Sequence, residues 1–181
     1  MLLVGCKPAG RNTEQHDVFF SIASNVKDLV PALLDFWPEA NGKLHLDALQ
    51  ELTQVGDYDV VIHPKEAGDN EAVSGAKLFF INLGGYKPDE FEEFHYKMVI
   101  ACANKGEAIA MSKKTAFYRH TGFTGATSHV DDKFGVDVDD LYEIADILPQ
   151  SVKEKYSIVL KKSTEIKENK LRLGYMMLEK L

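Results

Sequence analysis

Gly5-Cys6-Lys7-Pro8-Ala9-Gly10-Arg11-Asn12-Thr13-Glu14-Gln15-His16-Asp17 decides the reading of this chain, because the chain states its frame twice. His16 follows Gly5 by the same spacing as His95 follows Gly84. A constant offset carries Gly5 onto Gly84, Glu14 onto Glu93, His16 onto His95 and Asn25 onto Asn104 without a gap. The pattern around this frame also recurs. In the first half, Met1 to Cys6 is a short apolar strand, and Pro8 and Gly10 make a turn. His16 to Ser24 carries Val18, Phe19, Phe20 and Ile22, as a strand does. Asn25, with Asp28 three residues on, reads as a helix N-cap ahead of Leu29, Val30, Leu33, Leu34 and Trp37. Lys43 to Leu52 alternates as a strand, Gly56-Asp57 turns, and Tyr58 to Ile62 is a further strand.

The second half repeats the order. Lys77 to Leu83 and Phe94 to Ala103 read as strands. Asn104 caps a helix through Ala108, Ile109, Met111, Lys113 and Phe117. Val136 to Ile144 matches Leu44 to Leu52, with Asp139 on Asp47 and Asp137 on His45, and Tyr156 to Leu160 matches Tyr58 to Ile62. The expected fold is α+β: a tandem duplication of a strand-strand-helix-strand-strand unit, with largely antiparallel sheets and helices packed on one face. The boundaries are 1–66 for the first repeat, 67–76 for a polar, glycine-containing linker, 77–163 for the second repeat and 164–181 for a tail. That tail reads as a helix or as one more strand at Leu171 to Met177. The frame places Met1 opposite Phe80, so the first strand is short, and it allows a native N-terminus upstream of Met1.

The totals bound the function. The 181 residues carry a net charge of −7, with 45% hydrophobic residues. An acidic chain lacks the Lys and Arg surplus that neutralises phosphates, so no nucleic-acid partner is expected. No apolar run reaches eighteen residues and no signal segment is visible, so neither a membrane nor secretion is expected. Cys6 and Cys102 have no CxxC spacing and read as free thiols in a reducing compartment, which places the protein in the cytoplasm.

Residues two apart on a strand point the same way, so Glu14 and His16 share a face, as do His45 and Asp47. Imidazole with carboxylate is the donor set of zinc and of non-haem iron, and His16, His45 and Asp47 form a candidate metal set. The same residues could serve as a histidine base oriented by a carboxylate. The alternative is structural: a histidine at the polar end of a strand, bonded to its neighbouring carboxylate. The candidate ligand surface comprises Glu14, His16, His45, Asp47, Glu93, His95, His129 and Asp131. Because repeat two has Asp137 where repeat one has His45, the expected chemistry is lopsided, with Glu14 and His16 partnered by His45 and Asp47. The insertion from His120 to Phe134 holds the acidic run Ser128-His129-Val130-Asp131-Asp132, a loop without EF-hand spacing. Gly5 and Gly84-Gly85 follow short strands without a phosphate-loop pattern, and read as turn glycines. No nucleophile-elbow or H-E-x-x-H pattern is present.

The run from Gly5 to Phe20, together with Phe36-Trp37-Pro38-Glu39-Ala40 and Lys43-Leu44-His45-Leu46-Asp47, resembles the bacterial DUF1543 family. Leu78 to Tyr86, Glu93-Phe94-His95, His129-Val130-Asp131-Asp132 and Val138-Asp139-Asp140 resemble it again. The resemblance implies two copies of a domain to which no chemistry is assigned. The expected function is a small-molecule or protein binding module of unknown ligand. The alternative is a metal-assisted hydrolase using His16, His45 and Asp47 with a divalent metal as cofactor. A homodimer along a free sheet edge is a third, non-catalytic expectation.

Overall fold

The computed structural model describes residues 1–65, 75–86, 89–115 and 136–181, the side chains at 136 and 137 excepted. The fold is α+β, mostly antiparallel sheet with a few short helices. Ten strands are described: β1 (Leu2–Cys6), β2 (Gln15–Phe19), β3 (His45–Gln50), β4 (Gln54–Val55), β5 (Tyr58–Pro64), β6 (Lys77–Tyr86), β7 (Glu93–Cys102), β8 (Val136–Glu143), β9 (Tyr156–Lys162) and β10 (Leu171–Met177). The α-helices among the described residues are α1 (Val30–Phe36), α2 (Lys105–Ser112), α3 (Ile144–Ile147) and α4 (Gln150–Lys153). The strands make three sheets: the first in the order β10-β3-β1-β2, the second β7-β6-β8 and the third β4-β5-β9.

The first and second sheets share a plan. In each, an apolar strand lies inside the sheet, its successor pairs on one side, and a later strand pairs on the other. Alternation along the central strand then sorts the faces. Leu2, Val4 and Cys6 pack with Phe19 and with Leu33 of α1. Phe79, Ile81 and Leu83 pack with Ile100, Cys102 and Ala108 of α2. The opposite faces meet in a common core, where Phe20, Leu78, Phe80 and Ala101 join Val55 and Leu160 of the third sheet and Ile144, Leu148 and Val152. The Phe20 and Phe80 rings are 5.3 Å apart there. Gly5 and Gly84 lie on the faces turned away from α1 and α2.

Local chemistry sets the helix starts. The Asn104 carboxamide accepts from the Glu107 amide, and the Glu107 carboxylate accepts from the Ala103 amide, a reciprocal cap on α2. Asn25 accepts from the Lys27 amide, but this opens a short 3-10 turn, Val26–Leu29, and α1 begins only after it, with Pro in its first turn. The strand expected over His16 to Ser24 stops at Phe19. Its pairing partner runs out there, since Leu2 is already opposite Phe19. The alternating run from Val136 ends at Glu143, and Ile144 starts a helix that sends it into the common core. The expected linker lies almost wholly outside the described residues, as do His129, Asp131 and the rest of the insertion.

The chain ends cross between the halves. β9 pairs with β5, and β10 returns to the first sheet beside β3, so the tail adds a strand. A buried carboxamide guides it there. Gln54 donates from Nε2 to the Glu165 carbonyl at 2.6 Å and accepts from the Lys167 amide at 2.6 Å. Asn169 Oδ1 accepts from the Thr53 and Gln54 amides at 2.8 and 3.0 Å, while its Nδ2 donates to the Gln54 carbonyl. Removing the Asn169 carboxamide orphans several of these groups, each worth about 1 kcal/mol net. Asn169→Ala is therefore expected to lower unfolding free energy by about 2 kcal/mol, with amide exchange in β10 accelerating before that of β6. Denaturant titration and native-state hydrogen exchange check both; equal acceleration across β6 and β10 would contradict the local account.

Candidate metal centre

Sequence position and ladder register bring four polar side chains over Gly5. Gly5 is paired with His16 on one side and His45 on the other. Glu14 lies just before β2 and, two residues from His16, shares its face. Asp47 reaches the site by an irregularity. The ladder passes from Leu3↔Ala48 to Val4↔Leu46 and skips it, and the β10 ladder passes from Leu173↔Ala48 to Met176↔Leu46 and skips it again. A bulge of this kind re-aims a side chain that the ladder no longer holds.

The result is one cluster. Asp47 Oδ2 lies 3.1 Å from His16 Nε2 and 3.2 Å from His45 Nε2. Glu14 Oε1 lies 3.0 Å from His45 Nε2, and Glu14 Oε2 lies 3.9 Å from His16 Nε2. Ligand atoms of Glu14, His16 and His45 all fall within 4.8 Å of one another. His45 is buried, with a side chain 7% exposed, while Glu14 and His16 are 45% and 40% exposed. One side of the cluster is therefore protein and the other is open.

Two atoms distinguish this cluster from a hydrogen-bonded network. His45 Nε2 and Asp47 Oδ2 are buried, and no hydrogen bond reaches either among the described residues. They approach each other and their neighbours at ion-pair distance, but not along a donor axis. Buried polar atoms are ordinarily satisfied, and each one left unsatisfied costs about 1–3 kcal/mol. The spacing also suits ligands around one ion. Donors about 2.0–2.2 Å from a zinc-sized ion stand roughly 3.0–3.6 Å apart along the edges of a tetrahedron or octahedron. Three of the four distances, 3.0, 3.1 and 3.2 Å, fall in that window.

Gly5 is required for this convergence, and it is not a turn residue as its sequence context suggested. It lies inside β1 with partners on both sides. A β-carbon there would meet Asp47 Oδ2 at 2.6 Å and would collide with His45 Nε2. Gly84 is likewise inside β6, and a β-carbon there would collide with the Asp139 carboxylate, Cγ at 2.8 Å.

Sequence reasoning missed Tyr175. Its ring lies over the His45 imidazole, centroids 4.4 Å apart and planes 31° from parallel. It arrives through a second irregularity, at Gly174-Tyr175 in β10, where Gly174 has φ +114°. The available signal was a glycine inside a strand pattern, which marks a bulge. Cys6 stays out of the site. It packs on the α1 face, and burial pushes its thiol up, with the Glu14 and Glu39 carboxylates adding to the shift.

In the second sheet, Gly84 is paired with His95 and with Asp137. The ladder passes from Asn82↔Asp140 to Leu83↔Val138 and skips Asp139, as the first skips Asp47. His95 Nε2 is 3.3 Å from Asp139 Oδ2 and 3.8 Å from Glu93 Oε2. Sequence matching placed Asp139 on Asp47 but did not count it among the site residues. The Tyr86 phenol, opposite Glu93 in the ladder, is pushed up by desolvation first and then by Glu93 and Asp139. His63 is exposed at the end of β5, away from both clusters. Among the described residues, no helix is long and apolar enough to cross a membrane.

No curated protein matches this chain. The solved structure of a protein Il1583 from Idiomarina loihiensis is similar, with a TM-score of 0.64 at 19% identity, covering 98% of this chain and 94% of that one. At that identity the likeness supports the fold alone. Residues 11–62 match the model of DUF1543, a Domain of Unknown Function. That match supports the DUF1543 family for the stretch that contributes Glu14, His16, His45 and Asp47.

Proposed function

We propose that this is a divalent-metal-binding protein whose metal is held by Glu14, His16, His45 and Asp47. The observation that carries the reading is the buried, unbonded pair of His45 Nε2 and Asp47 Oδ2, facing His16 and Glu14 at coordination-edge spacing. Two imidazole nitrogens with carboxylate oxygens suit zinc or another first-row divalent ion. The ligand of the binding module is then the metal itself, together with whatever small anion or water completes it. The open side at Glu14 and His16 supports a second reading, metal-assisted hydrolysis. A bound ion lowers the pKa of a coordinated water and polarises a substrate oxygen. His16, His45 and Asp47 would hold the ion, and the exposed Glu14 is placed to take a proton.

We also read the chain as two copies of one unit. The support is the shared order of central, successor and later strands, the Gly5 and Gly84 positions opposite His16 and His95, and the matched bulges at Asp47 and Asp139. Two free, buried cysteines suit a cytoplasmic protein.

Elemental analysis after zinc loading and desalting tests the first claim. About one tightly held equivalent of zinc is expected at the first site. His45→Ala is expected to weaken zinc binding by about a hundredfold or more, since even outer-shell losses reach 10–100-fold. Less than a tenth of an equivalent in the loaded parent protein would refute the metal reading.

The supporting residues give a separate expectation. Gly5→Ala should lower zinc affinity by at least about tenfold, because the added methyl displaces the His45 ring and the Asp47 carboxylate. Tyr175→Ala should lower it by about tenfold, while Tyr175→Phe, which keeps the stacked ring, should stay near the parent value. Competition with a chromophoric chelator measures all three. Equal losses for the Ala and Phe variants of Tyr175 would assign the effect to the hydroxyl and not to ring stacking.

A further inference from the structure

We infer that the second sheet holds a separate divalent-cation site, built from Glu93, His95 and Asp139, that prefers harder ions than the first. The ligand atoms of these three residues lie within 4.8 Å of one another, as those of Glu14, His16 and His45 do. His95 Nε2 stands 3.3 Å from Asp139 Oδ2 and 3.8 Å from Glu93 Oε2, room for an ion between them. The cradle is built in the same manner. Asp139 is skipped by its ladder, so its carboxylate folds back over Gly84 into the space that a side chain at that position would fill. A surface histidine with a neighbouring carboxylate requires neither the bulge nor the glycine.

The donor sets differ in a way that decides selectivity. The first cluster offers two imidazole nitrogens and one Glu oxygen, with Asp47 beside them; the second offers one nitrogen and two carboxylate oxygens. The residue opposite Gly84 is Asp137, where His45 stands opposite Gly5. Imidazole favours zinc and its neighbours, whereas carboxylate oxygens suit manganese, magnesium and calcium. Glu93, His95 and Asp139 are all exposed, while His45 in the first cluster is buried. An open, oxygen-rich site keeps more water on its ion and binds it more weakly, as harder ions tolerate. The ratio of zinc to manganese affinity is therefore larger at the first site than at the second.

The proposal borrows its plan from the first site but uses none of its ligands, so the two can fail separately. Manganese is the probe, followed by loss of the free-ion EPR signal. The His16→Ala/His45→Ala double variant should still bind about one equivalent of manganese, with a nitrogen coupling from His95 in the pulsed spectrum. Asp139→Asn and His95→Ala should each weaken that binding by at least about tenfold, and His95→Ala should abolish the nitrogen coupling. Made singly in the parent protein, both variants should keep zinc binding at the first site. Failure of the double variant to bind manganese below about 1 mM would overturn the proposal. So would manganese binding left unchanged by both Asp139→Asn and His95→Ala. If the second site persists while zinc binding ignores His16 and His45, only the first assignment falls.

Discussion

A strand residue without a side chain is what the rest of this structure is arranged around. Two neighbouring strands each present a histidine-position residue opposite Gly5, and only an absent β-carbon lets their side chains meet above the backbone. Cross-strand partners directly opposite have β-carbons about 4.5–5.5 Å apart, so residues flanking a central strand on both sides ordinarily stand too far apart to touch. Removing the middle side chain turns three parallel rows into a notch. The bulge at Asp47 then puts a carboxylate oxygen into that notch between the two imidazoles. Neither device works alone. With a methyl at position 5 the Asp47 carboxylate has no room, and with a regular ladder Asp47 would be held in the sheet.

The chain's last strand completes the first site from outside. β10 reaches β3 only after the segment from Glu165 to Asn169 has docked on Gln54. Gln54 is buried, and its carboxamide is used at both ends. A buried polar residue with all partners present fixes one arrangement, because any shift leaves groups unpaired in a low-dielectric place. The register it fixes sets Tyr175 over His45. The tail is thus a wall of the first site, which explains why an otherwise exposed aromatic, 66% accessible, lies where it does.

Periodicity and pairing faces were legible in the sequence. The Gly-to-His spacing, the alternating run at His45-Leu46-Asp47 and its counterpart at Val138-Asp139 located two strands of each cluster correctly, because strand alternation survives most tertiary contexts. The partnership of Glu14 and His16 with His45 and Asp47 followed from the same rule. What was not legible depends on contacts between distant segments. Strand order alone places Gly5 at the centre of a sheet, and a central glycine looks like a turn glycine until its two neighbours are known. The His45 contact of Tyr175 needs the β10 bulge and the docking of Asn169 on Gln54, two residues 115 apart in the chain. The end of β2 at Phe19 was set by where β1 begins, which no local propensity encodes.

The uneven burial of the two clusters follows from the same geometry. His45 lies under Tyr175 and beside β10, whereas the second sheet has three strands and no added wall beyond β8 among the described residues. Burial without hydrogen bonds makes the first cluster unfavourable by itself, by about 1–3 kcal/mol for each orphaned atom. A ligand present at a hundred times its dissociation constant contributes about 2.7 kcal/mol to the folded state, which offsets most of that strain. On the proposed metal reading, the fold tolerates the first site because an ion would satisfy it, and the closing strand that desolvates His45 would also raise its selectivity. An exposed cluster carries no such penalty. Water can satisfy Glu93, His95 and Asp139 in its place, so the second sheet keeps its shape with or without an ion. On that reading affinity and dependence on a metal would rise together with desolvation, and the strand that separates the two sheets in this respect is β10.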